Sequence, residues 1–95
     1  MTVRNLTSYK LPSCGCGTYR EHWEKGTELT FNTCSKFNCN NRALVGAHVI
    51  NCHGISTGVR QIIPLCNMCN SIPTSGFYNL RTGIRSVAVN NTKNC

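Results

Sequence analysis

Ninety-five residues, 40% of them hydrophobic, with only seven aromatics and eight cysteines in mostly close pairs, predict a small α+β domain stapled by metal. A chain this short buries only about 60–65% of its unfolded surface, so its apolar interior is thin. The cysteines fall at 14, 16, 34, 39, 52, 66, 69 and 95. Short loops such as Cys14-x-Cys16 and Cys66-x2-Cys69 strain a disulfide but let two thiolates turn to one ion. No apolar run reaches the roughly 20 residues of a membrane span. The first ten residues lack an apolar h-region, so a reducing intracellular compartment, cytoplasm or nucleus, is expected. The sequons Asn5-Leu-Thr and Asn90-Asn-Thr are read as chance.

From the N-terminus, residues 1–13 read as an extended arm, ordered only near Leu11 and Pro12. Residues 18–26 read as a helix with Tyr19 and Trp23 on one face, stopped by Gly26. Residues 28–33 alternate and read as β. Residues 43–50 read as a strand bent at Gly46, residues 51–58 as a loop, and residues 59–65 as a strand broken near Pro64. After Cys69 a short helix is limited to about one or two turns by Pro73 and Gly76. Residues 84–90 alternate as a final strand. Together these form one domain: a knuckle and short helix over 1–33, a central metal unit over 34–76, and a strand and tail over 77–95.

Cys34 and Cys39 lie among turn formers, which suits a zinc knuckle. Cys66 and Cys69 follow an apolar stretch, where a helix begins. A knuckle joined to a helix-start pair is the treble-clef arrangement, and it makes Cys34, Cys39, Cys66 and Cys69 the first expected site. Cys14 and Cys16 need two more ligands, drawn from His22, Cys52, His53 and Cys95. The preferred set is Cys14, Cys16, His22 and Cys95, giving two Zn²⁺ ions in all.

The formal charge is +7, and the only acids are Glu21, Glu24 and Glu28. Thiolate ligation trims this charge but leaves a basic surface. Basic surfaces favour nucleic acid, anionic membranes or acidic proteins. Arg42, Arg60, Arg81, Arg85 and Lys36 are the expected phosphate contacts; a solvated surface is the plainer alternative.

Residues 34–70 resemble the HNH, or ββα-metal, endonuclease family in its zinc-bound form. The resemblance rests on Cys34 and Cys39, on Gly46-Ala-His-Val-Ile50, and on Gln61-Ile-Ile-Pro-Leu-Cys-Asn-Met-Cys-Asn70. It implies that His48 stands where the general base stands. It also marks departures. Ala47 replaces a strand metal ligand, Gln61 an orienting Asn, and Thr74 the second helical His, while Asn70 holds the first helical position. No Asp or Glu follows Glu28 to restore a hard-metal site. The whole chain also looks like a group of small zinc proteins with Cys-x-Cys-Gly, Glu-His-Trp, Gly-Ala-His-Val and Ile-Pro-Leu-Cys elements, which supports pairing Cys14 and Cys16 with His22. The expected function is a non-catalytic, degenerate HNH-like zinc module that binds nucleic acid. The alternatives are a structural or interaction component of a larger protein assembly, and a metal-dependent nuclease using His48.

Overall fold

A computed structural model describes residues 1–6, 17–52, 54 and 57–89. Five strands and two helices follow in the order β1 (Thr2–Asn5), α1 (Tyr19–Thr27), β2 (Val45–Asn51), β3 (Arg60–Leu65), α2 (Asn67–Asn70), β4 (Phe77–Asn79) and β5 (Val87–Ala88). The strands make one antiparallel sheet in the order β4-β1-β2-β3-β5. No helix among the described residues is long and apolar enough to cross a membrane.

Successive strand residues face opposite sides, so the sheet has two apolar faces. On one, Val3, Ala47, Val49, Ile63, Leu65 and Tyr78 pack against Cys34, Cys66 and Cys69. On the other, Ile62 and Val87 pack under Trp23 of α1, together with Phe31 and Ala43. Trp23 meets Phe31 edge-on at 5.2 Å, and Arg20 lies 4.7 Å over the same Phe31 ring. The metal-facing cysteines and α1 therefore lie on opposite sides of one sheet.

α1 starts where expected. The Thr18 hydroxyl accepts from the Glu21 N–H, and the Glu21 carboxylate accepts from Gly17 N–H in return. That bond, with Lys25 beside it, holds the Glu21 carboxyl below its usual range. Gly26 does not stop the helix. It lies inside α1 because a Cβ there would meet Val87 at 2.8 Å, and the helix ends instead at Glu28, in the left-handed region at φ 61°.

Five other expectations need correction. Residues 2–5 of the supposed arm form β1, an interior strand; its four-residue alternation is too short to read without its partners. Residues 28–33 form no strand, because Phe31 is drawn to α1, its N–H donating to Glu24 and its ring packing on Trp23; only Thr33 bridges to Arg42. Gly46 makes no bend. It lies in unbroken β2 because a Cβ would come within 2.5 Å of the Tyr19 and Arg20 backbone. Pro64 does not break β3. Its carbonyl points away from β2, to the Ser35 N–H, so its missing N–H would also point away and no ladder bond is lost. The final strand shrinks to two residues because α1 side chains take its carbonyls: the Trp23 indole donates to Arg85 O at 2.9 Å, and His22 Nε2 lies 3.0 Å from Ala88 O.

Candidate metal centre

Cys34, Cys39, Cys66 and Cys69 converge so that all four sulfurs lie within 4.8 Å of one another. The Cys39–Cys66 and Cys39–Cys69 Sγ separations are 3.8 and 3.7 Å. A tetrahedron with metal–sulfur bonds of about 2.3 Å has edges of about 3.8 Å, so these two separations match the edges that a tetrahedral ion requires.

Each arm of the cluster has a local cause. In the first loop, Cys34 N–H donates to Asn41 O and Cys39 N–H to Lys36 O, with Asn38 supplying the left-handed turn residue at φ 65°. Ser35 N–H ties this loop to Pro64 O of β3. In the second, Cys66 caps α2: its sulfur accepts from Cys69 N–H at 3.4 Å and from the Asn41 amide at 3.7 Å. The Arg81 guanidinium donates to Cys39 O, and Arg81 N–H to Ser35 O, pinning the loop from the C-terminal side.

Three of the thiols, Cys34, Cys66 and Cys69, perturb one another. Burial raises Cys66, but the Cys69 N–H, the Asn41 amide and the neighbouring thiols outweigh it and bring Cys66 down to about 6. Burial and the adjoining sulfurs push Cys69 well up, and burial also raises Cys34. One thiolate therefore forms readily and opposes the next. A bound divalent cation removes that opposition. Tyr78 below the cluster is raised as well, by burial first and then by Cys69 and Cys34.

A support that sequence reasoning missed is Asn5. Its side chain is buried at the end of β1; its amide donates to Cys69 O and Ile72 O, both at 3.0 Å, while its carbonyl oxygen accepts from Tyr78 OH. The sequon at Asn5 thus marks a buried strut. Only the burial of Val3 and Asn5 on alternate positions could have signalled it, and reading residues 1–13 as an arm concealed it.

The second expected site divides differently. Cys14, Cys16 and Cys95 lie outside the described residues, as does His53. His22 is buried on α1 with Nε2 against Ala88 O. Cys52 is half-buried, its sulfur near Ile50 O, and is not part of the four-cysteine cluster.

His48 lies on the α1 face of β2, opposite the cysteines, with its ring centroid 5.9 Å from that of Tyr19. Burial, and then Arg60 nearby, lowers its pKa and so disfavours the imidazolium form. It lines a groove of about 490 Å³ with Asn5, Tyr19, Gly46, Asn70 and Thr74 among others. Gln61 and Ala47 lie on the opposite sheet face, paired with Val49 and Ile63 respectively. Among the basic residues, Lys36, Arg42 and Arg81 flank the cysteine loop. Arg60 stands exposed on β3 and Arg85 exposed before β5.

The fold and the cluster define a small α+β protein whose four converging cysteines can hold a metal ion. Comparison with known protein families, curated proteins and solved structures finds no match for this chain.

Proposed function

We propose that this chain is a non-catalytic, zinc-stabilised module of treble-clef type that binds nucleic acid through a basic surface. The observation that carries the zinc reading is the sulfur spacing of 3.7–3.8 Å in an all-cysteine set, a soft tetrahedral donor group that suits Zn²⁺. The knuckle at 34–39 and the helix-start pair at 66–69, flanking a β-hairpin, support the treble-clef assignment. Segregation of charge supports nucleic acid: Glu21 and Glu24 lie on α1 paired with Lys25 and Arg20, Glu28 caps it, and no acid follows. Phosphate binding should therefore be steeply salt-dependent. Anisotropy of a labelled oligonucleotide across 50–200 mM salt tests this; a flat response, or stable association with a protein partner instead, refutes it. A second zinc at Cys14, Cys16, His22 and Cys95 fits the way His22 Nε2 is anchored on a backbone carbonyl, a common support for an imidazole that ligates through Nδ1. A metal count of two that falls to one in His22→Gln is the expected result.

One observation favours a second reading. The groove beside His48 also receives Asn70 and Thr74, the positions that the HNH resemblance marks. No carboxylate lines it among the described residues, and a general base alone supplies only about 10²–10⁴-fold. Plasmid cleavage in Mg²⁺ or Mn²⁺ that disappears in His48→Ala would establish the nuclease and displace the non-catalytic reading.

A further inference from the structure

Among the described residues, the sheet face that carries α1 is only partly covered by helix. α1 packs on β2, β3 and β5, toward the Gly46 end of β2. Antiparallel partners share a face. The register therefore sets Arg60, Ile50, Arg4 and Phe77 in a single row across β3, β2, β1 and β4. With strands about 4.8 Å apart, the row runs roughly 14 Å. Phe77 is 64% exposed and Arg60 is exposed, while Arg4 and Ile50 are half-buried. Arg4 and Phe77 stand directly opposite each other.

Two features give this row a ligand. The chain has three phenylalanines; Phe31 is buried, yet Phe77 and Phe37 stand in water, Phe37 at 55% exposure. Phe37 lies at the outer edge of the same sheet, its N–H donating to Asn79 O beside Phe77. Phe77 and Phe37 are two of the seven large apolar side chains left exposed among the described residues, and the Phe37–Asn79 bond brings them to one sheet edge. Charge is also sorted along this face, where Glu21 and Glu24 of α1 are already paired with Lys25 and Arg20. Arg4 and Arg60 point from the row, and all three acids belong to α1 and its cap.

We propose that this row is a site for single-stranded nucleic acid. Bases stack on Phe77, with Phe37 extending the platform at the edge, and phosphates meet Arg4 and Arg60. Stacking on an exposed ring needs an unpaired base face, which a duplex keeps inside its stack. The proposal rests on the nucleic-acid reading above, keeps Arg60 from the expected phosphate contacts and adds Arg4, Phe77 and Phe37.

The test uses the zinc-loaded protein and a fluorescein-labelled dT12, with a duplex of the same length as competitor, read by anisotropy at low salt. The single strand should bind in preference to the duplex. Phe77→Leu, which keeps apolar bulk but removes the π-face, should weaken binding about 5- to 100-fold. Arg4→Gln should weaken it and reduce the salt slope by about one. Leu29→Ala, on an exposed residue outside the row, should bind like the parent. Zinc content and the far-UV spectrum of each variant confirm that it folds. Binding of dT12 that stays within two-fold in both Phe77→Leu and Arg4→Gln, or a preference for the duplex, overturns the row but leaves the nucleic-acid reading standing. No binding to either form at low salt overturns both.

Discussion

Replacing Asn5 with alanine should cost far more than an asparagine near the start of β1 suggests. The residue is only 4% exposed and serves four groups at once, three closely and Asn70 O at 3.4 Å. Cys69 O keeps another donor, Ile72 N–H, when the Asn5 amide is lost. Ile72 O and Tyr78 OH lose the partners that Asn5 provides. A buried polar group left unpaired costs about 1–3 kcal/mol, so two give roughly 3 kcal/mol. In a domain of this size, each kcal/mol lowers Tm by about 4–8 °C, so Asn5→Ala should melt on the order of 15 °C lower. The assay is thermal unfolding of the metal-loaded protein, followed by Trp23 fluorescence. The pairing gives an internal check. Tyr78→Phe alone should cost about 1–2 kcal/mol, and the double variant less than the sum, because the hydroxyl orphaned in Asn5→Ala is then gone. A strictly additive double variant, or Asn5→Ala within about 0.5 kcal/mol of the parent, would refute the strut.

Three further outcomes are expected. Removing the ion with a chelator, or replacing Cys69 with serine, should abolish cooperative unfolding, and re-addition of Zn²⁺ should restore it only in the parent; calorimetry with a metal titration reads this. Gly46→Ala should destabilise by about 1–3 kcal/mol, since the new methyl meets backbone at 2.5 Å, and Gly26→Ala by less, because the Val87 side chain it meets can shift; urea midpoints rank the two. His48 has a lowered pKa in the fold, so below about 6.5 the unfolded state binds more protons and stability falls as pH drops from there toward the lowered value. His48→Gln should remove that part of the acid sensitivity, seen as a smaller Tm difference between pH 7.5 and 5.5 than in the parent.

The features legible in the sequence are those fixed by local chemistry. Paired cysteines with turn formers between them announce a convergent cluster, and Tyr19 with Trp23 on one face announces a helix. What escaped reading depends on distant partners. β1 and β4 are four and three residues long, and their place is set by Val3 pairing with Asn51 and Tyr78. The same distance hides Asn5, whose partners lie more than 60 residues away. Local breaker rules misjudged Pro64, Gly46 and Gly26 because each answers to a neighbouring element: the side of the ladder for Pro64, and the packing of α1 on the sheet for the two glycines.

The interior position of β1 bears on how the molecule is made. A ribosome adding about 5–20 residues per second takes on the order of 4–15 s to travel from Asn5 to Asn79. During that interval the earliest strand has no complete seat, while the hairpin of β2 and β3 already exposes a bare flank. β1 can dock on that flank once the hairpin forms, and β4 closes its outer edge later. Trimming β1 would take out a slat from the middle of the sheet.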